Sequence, residues 1–366
     1  MAGVTNKLRR SVQLRWRRIK WFFFKSVFVA FGVSLGISAN GAGAERPRLG
    51  PFEQPRPKLL SIPTGTSSFD VEEALHGTYA SEELCARIKD SLWVVVEEQG
   101  DCIRYYEHGL SSLDGNPRVL VYFSGDVMVR TRQGVRSIVP SYSQRSPDKI
   151  EEEMSEWSQR AGIPAIFLAR PGIYGSSGDH NARRLPREIE LMNQALSLLK
   201  ARYGISEFIL TGHSAGGQIV SAMLNKRADI RAGIMSSALV SVKQVAAFWE
   251  NRREIPGSLL YNAQAFYDPV DEIKSINRDP APEIYLISDP GDRAVPFFTQ
   301  LYYVRRLRTE GFNPHHIYSH APPPGHHLLA EHAKCAAEMV AKGSSSEEIR
   351  RALHELDLAN IRSATK

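Results

Sequence analysis

Four residues of strand character, Phe208-Ile209-Leu210-Thr211, run without a spacer into Gly212-His213-Ser214-Ala215-Gly216-Gly217. Apolar residues then recur at helical spacing around Ile219, Met223 and Leu224. A chain that passes from strand to helix over so few residues must turn sharply, and the serine sits at the tip of that turn. Side chains at Gly212 or Gly216 would collide as strand and helix close on each other, which accounts for glycine at both places. The free N–H groups of the helix start face any anion that forms beside the serine. An ordinary glycine-rich turn is the bland alternative.

The rest of the body fits that element. Residues 91–98 and 102–107 read as a hairpin around a Gln99-Gly100-Asp101 turn. Residues 118–123, 165–169, 208–211, 232–235, 284–288 and 316–319 read as later strands, several of them near-continuous apolar runs as strands buried on both faces must be. Ile189, Met192, Leu196 and Leu199 mark a helix after Pro186. A hairpin followed by strand–helix alternation predicts an α/β fold: a mostly parallel sheet with helices on both faces over residues 67–343. Residues 45–66 carry five prolines and read as an extended linker. Ser345 lies three residues before Glu348, and Ile349, Leu353 and Leu356 follow, so residues 344–366 read as a capped amphipathic helix packing on the body.

At 366 residues, with 42% hydrophobic and 23% charged, the chain is too apolar for disorder and carries too few long apolar stretches for a multi-pass membrane protein. The net charge of +6 comes from residues 1–44, which hold eight lysines and arginines and no acid. The remainder has 38 basic against 40 acidic residues, so no nucleic-acid partner is expected. A basic stretch, an apolar run and Ala42-Gly43-Ala44 read as a signal peptide over residues 1–44. An uncleaved anchor is the alternative, and membrane contact is expected only through that segment. Either reading exports the body, to the periplasm of a bacterium or beyond. An oxidising compartment permits one disulfide, and Cys85 with Cys102 is the better pair; three buried thiols, Cys335 among them, are the alternative.

A serine hydroxyl is a weak nucleophile that needs a base, and the base needs an orienting acid, expected after later strands in the order serine, acid, histidine. Residues 284–288 end in Asp289-Pro290-Gly291-Asp292-Arg293-Ala294-Val295-Pro296, and the next strand ends in Pro322-Pro323-Pro324-Gly325-His326-His327. The acid is Asp292 or Asp289 and the base His326 or His327. Over residues 90–342 the chain resembles the α/β-hydrolase superfamily. There the acid commonly lies in D-x-x-V-P, here starting at Asp292, and the base follows a glycine, here His326. The resemblance therefore implies Ser214 as nucleophile, Asp292 as acid and His326 as base. It also implies an oxyanion hole from the N–H of Ala215 and one from Phe123-Ser124-Gly125-Asp126, where the family often has His-Gly-Gly. Asp126 N–H is the expected second donor, with Ser124 N–H as the alternative. The Asp126 carboxylate should then turn away and fix the loop, because a charge facing the oxyanion would oppose it. Arg170-Pro171-Gly172 opens a loop expected to shape the rim, and His213 is assigned no role.

Residues 239–280 exceed a crossover helix and read as a cap-like insertion in which Phe248, Trp249 and Tyr261, with Phe266 and Tyr267, are candidates for an apolar acyl or aryl pocket; packing on the sheet is the alternative. No H-E-x-x-H occurs among the late histidines, so neither metal nor cofactor is expected. The expected activity is a serine hydrolase cleaving a carboxylic ester through an acyl-enzyme, with a small ester or short peptide as substrate. An acyltransferase or small-peptide peptidase on the same triad is the first alternative. A secreted binding protein on a dead scaffold is the second.

Overall fold

The computed structural model describes residues 46–110, 115 and 117–364. The signal-peptide reading of residues 1–44 lies outside the described residues. Eight strands build the central sheet: β1 (Ser91–Val96), β2 (Gln99–His108), β3 (Arg118–Phe123), β4 (Ala165–Leu168), β5 (Glu207–His213), β6 (Ile230–Ser236), β7 (Glu283–Ser288) and β8 (His315–Tyr318). Their spatial order is β8-β7-β6-β5-β3-β4-β2-β1. β2 runs antiparallel to both β1 and β4, and every other pairing is parallel. The α/β class expected from the sequence is therefore the one observed.

Successive residues of each strand serve opposite faces. Val119, Val121 and Phe123 of β3 enter one core with Leu196 and Leu199 of α2 (Pro186–Tyr203) and Ile219 and Met223 of α3 (Ala215–Lys226). Leu120 and Tyr122 enter the other, against Trp157 of α1 (Pro147–Ala161) and Ala333 and Ala337 of α6 (Ala330–Ala341). Both faces are covered, so the strands can be continuously apolar.

Two expectations change in detail. The hairpin turn is Glu97-Glu98, both at positive φ (50° and 65°), rather than Gln99-Gly100-Asp101. Gly100 is a strand residue paired with Val95, and it is glycine because the Trp93 ring lies over it; a Cβ there would lie 2.0 Å from the indole. Residues 46–66 are extended but fastened: Leu49 is fully buried, Arg48–Leu49 pairs with Arg136–Ile138, and the Pro63 carbonyl accepts from Arg104 at 2.7 Å. The terminal helix α7 (Ser346–Ala364) has the anticipated reciprocal cap, Glu348 N–H to Ser345 Oγ and Ser345 N–H to Glu348 Oε2, and buries Ile349 and Leu353 on the body. Cys85 and Cys102 are bonded, and Cys335 is a free thiol.

Candidate active site

β5 ends at His213, α3 begins at Ala215, and Ser214 between them stands at φ 55°, ψ −119°, a conformation costly for a residue with a Cβ. Its backbone is pinned from three sides: Ser214 N–H donates to Ser236 O, and Ser214 O accepts from Gly217 and Leu239. Gly212 has the anticipated steric cause, the closeness of strand and helix, whereas Gly216 is constrained by the end of β3. A Cβ on Gly212 would lie 2.3 Å from Gly216 O, and one on Gly216 would lie 2.0 Å from Phe123 O.

The loop after β3 crosses directly over the serine, since a Cβ on Gly125 would sit 3.2 Å from Ser214 Cβ and 3.3 Å from His213 O. Among the described residues, no carbonyl or side chain accepts from the N–H of Ala215 or of Asp126. The Asp126 carboxylate faces away from them. It accepts from Arg170 at 3.0 Å and from Arg183 Nε at 3.0 Å, and pairs with Arg184. Burial alone would raise this carboxyl, but Arg184, Arg183 and Arg170 hold it well below the ordinary carboxylate range. Arg170, fully buried, also pairs with Glu188 at 2.8 Å and reaches Ser124 O at 3.4 Å. The loop it opens is fastened to β2: Ser176 and Ser177 Oγ accept from the N–H groups of Arg104 and Cys102.

After β7 and β8 the two doublets separate into two pairs. His327 Nδ1 lies 2.9 and 3.0 Å from the Asp292 oxygens, and Asp292 Oδ1 also accepts from Ala294 and Val295 N–H. His326 Nδ1 lies 3.3 Å from Asp289 Oδ2. Asp289 is otherwise occupied in tying the two loops together, accepting from Gly291 N–H at 2.7 Å and Ala321 N–H at 2.8 Å. The expected combination of Asp292 with His326 is thus not the one formed. His326 takes a positive φ of 52°, which turns its ring to the solvent side, 36% exposed against 17% for His327. His327 is also the ring beside the serine's neighbour: its centroid is 4.9 Å from that of His213. His213 is buried and shares a 3.1 Å hydrogen bond with Ser236 Oγ; burial and the nearby His327 push its pKa well below the usual value, so it packs there as a neutral ring.

The insertion begins with α4 (Val242–Glu250) and continues through short 3-10 turns. Val242 and Val245 pack with Ala215, Leu239 and Val295, with Trp249 and Phe266 against them, so this apolar cluster adjoins the residue after the nucleophile candidate. Tyr261 stacks on Phe266 at 5.5 Å. Phe248 leans on Phe298 of α5 (Phe297–Thr309), which is half exposed, and Tyr267 belongs to the sheet core. Of the pocket candidates, Trp249 packs directly on the cluster that contains Ala215, while Phe248 and Tyr261 reach it through Trp249 and Phe266. Sequence reasoning did not anticipate Asp357. On α7 this buried residue accepts from Ser319 Oγ and His320 N–H and shares a 2.8 Å bond with His332, fastening the chain that leads to the 326–327 loop. A lone acid on the apolar side of an amphipathic helix was the available signal.

No protein-family model and no curated protein sequence matches this chain. Among solved structures it is similar to an esterase of Pyrococcus furiosus, Pf2001 (12% identity, TM-score 0.49, 78% of this chain and 97% of that one). It is also similar to Est1E from Butyrivibrio proteoclasticus (12%, 0.47, 70% and 98%) and to an acylaminoacyl peptidase of Pyrococcus horikoshii (14%, 0.45, 69% and 40%). The chain thus spans about 40% of the length of that peptidase. A hairpin-led sheet whose third and fourth strands exchange places, with the strained serine after its fifth strand, is the α/β-hydrolase architecture, and that is the fold of this chain.

Proposed function

We propose that the protein is an exported serine hydrolase that cleaves carboxylic esters through an acyl-enzyme on Ser214. The reading is supported by the strained, backbone-pinned Ser214, by the pairing of His327 with Asp292, and by the contact of the His327 ring with His213, the residue before the serine. Asp292, held by two backbone N–H groups, accepts the Nδ1 proton of His327 and leaves Nε2 as the base. As Ser214 Oγ bonds to the ester carbonyl carbon, its proton passes to Nε2. The N–H groups of Ala215 and Asp126 receive the oxyanion. The acyl C–O bond breaks, the leaving alkoxide takes the proton from His327, and water repeats the sequence on the acyl-serine. Trp249 and Phe266 border the acyl side. A disulfide between Cys85 and Cys102 supports a place outside the reducing cytoplasm.

The test is labelling by a fluorophosphonate together with p-nitrophenyl butyrate turnover. Wild type should label once, and Ser214→Ala should lose the label and roughly 10⁶-fold of turnover. A Ser214→Ala protein that labels or turns over like wild type would remove the reading. Comparison of esters with aminoacyl anilides separates ester from amide cleavage.

A further inference from the structure

The loop that carries His327 leaves the sheet after Tyr318, the end of β8, and regains regular structure at Ala330, the start of α6. It holds three consecutive prolines, Pro322-Pro323-Pro324, and belongs to neither strand nor helix, so its course depends on the bonds that fasten it. Two of these tie its middle to the loop after β7: Ala321 N–H donates to Asp289 at 2.8 Å, and Arg293 N–H donates to Gly325 O at 3.0 Å. Its two ends meet on a single side chain, that of Asp357 from the terminal helix α7. The Ser319 hydroxyl lies 2.9 Å from each Asp357 oxygen, and His320 N–H donates to the same carboxylate at 3.1 Å. From the far end of the loop, His332 in the first turn of α6 reaches it through Nε2 at 2.8 Å.

Ile349, Leu353 and Asp357 follow one another at i, i+4 spacing and so share one face of α7. The first two sit in the apolar core and are enough to dock the helix. A carboxylate at the next position of that stripe, 2% exposed, carries a desolvation cost that an apolar residue would avoid. The bonds that offset this cost all come from the ends of the base loop. Burial would raise the Asp357 carboxyl, but His332, His320 N–H and Ser319 hold it below the ordinary carboxylate range. An ionised carboxylate only accepts, so His332 donates from Nε2, while its buried Nδ1 has no partner among the described residues. Ser319, Asp357 and His332 are therefore not a second nucleophile relay: hydroxyl and imidazole both donate to the acid between them, and all three are buried.

We propose that Asp357 is a positioning residue for the base: by holding both ends of the 319–332 segment on one carboxylate, it sets where His327 stands relative to Asp292 and Ser214. The assignment rests on the hydrolase reading above and extends it, because the terminal helix then belongs to the apparatus that places the base. Asp357 acts through the loop and takes no part in the proton transfers. A reacting group misplaced by about 1 Å loses on the order of 100-fold in rate, which sets the scale of the effect.

The experiment measures kcat and KM for p-nitrophenyl butyrate, with melting temperature, on the full chain. Asp357→Ala should lower kcat by about 10- to 100-fold and leave KM within about threefold. Asp357→Asn keeps an acceptor oxygen for His320 N–H and His332 and should recover most of that loss. Leu353→Ala, which weakens the docking of α7 without touching the carboxylate, should lower the melting temperature and leave kcat unchanged. If Asp357→Ala does not fold, Ser319→Ala/His332→Gln releases both ends of the loop with α7 intact, and it should show the same fall in kcat. A folded Asp357→Ala or Ser319→Ala/His332→Gln protein with wild-type kcat overturns the proposal and leaves the hydrolase reading standing, as does a Leu353→Ala protein that loses as much kcat as Asp357→Ala. If wild type neither labels on Ser214 nor turns over any ester, the hydrolase reading fails, and the downfield proton resonance of His327 Nδ1–H, assigned by its absence in His327→Gln, decides the clamp. Its loss in Asp357→Ala but not in Leu353→Ala supports the positioning role, and its persistence in Asp357→Ala overturns it.

Discussion

The assignment of the base is the most exposed step, because two adjacent histidines each have a carboxylate. His327→Gln and His326→Asn separate them. His327 holds both oxygens of a carboxylate with a fully buried side chain, at 2.9 and 3.0 Å, and its ring meets the residue before the nucleophile. Removing a base from such an arrangement costs on the order of 10⁶-fold in turnover, about 8 kcal/mol of barrier, with oxyanion donors and binding left to give the residual rate. His326 has a single 3.3 Å contact and 36% exposure, so its loss should remove about 0.5–1 kcal/mol of stability and change turnover by about threefold or less. Asparagine is the replacement of choice because the site has φ 52°, where alanine would add strain. The assay is p-nitrophenyl butyrate turnover, with melting temperature as the folding control. A larger loss at His326 than at His327, or equal losses in folded proteins, would refute the pairing argument.

Glu153 on α1 sits between Lys334 of α6 and Arg145; burial would raise its pKa, but the two cations hold it at about 2 against 4.5 unperturbed. A depressed carboxyl gives its stabilisation, roughly 3 kcal/mol by linkage, above pH ~4.5 and loses it as pH falls toward 2, so the melting-temperature gap between wild type and Glu153→Gln should close across that window. A gap that stays constant to pH ~2 would contradict the assignment. The Cys85–Cys102 bond closes a 17-residue separation, so Cys85→Ser/Cys102→Ser should lose about 3 kcal/mol in urea unfolding, and an unchanged midpoint would show that the loop is ordered without it.

The fold was legible because its signals are local. A strand, a glycine pair around a serine and a helix lie within residues 207–226, and the buried strands announce themselves as apolar runs. The hairpin turn was displaced because Gly100 looks like punctuation, while its reason for being glycine is the Trp93 ring across the strand pair. The doublets could not be resolved for a similar reason. Adjacent side chains leave the chain in different directions, and which one faces the serine depends on the path of a loop, here set by the positive φ at His326 and by Asp289 bridging to Ala321 N–H.

Asp126 shows what composition hides. Read along the chain, a carboxylate stands where the oxyanion loop should be neutral or positive, an apparent argument against catalysis there. In space the same residue is the anchor of the loop: its side chain is drawn back by Arg170, Arg183 and Arg184, which lie 44 to 58 positions later in sequence. Arg170 also holds the Ser124 carbonyl, so one buried cation fixes the loop at two points and leaves the Asp126 N–H on the serine's side. The charge balance around the loop is then set by the arginines that outnumber the local acids. The negative residue thereby recruits the cations that hold the loop in place, and the loop's backbone N–H is the donor that the proposed oxyanion would meet.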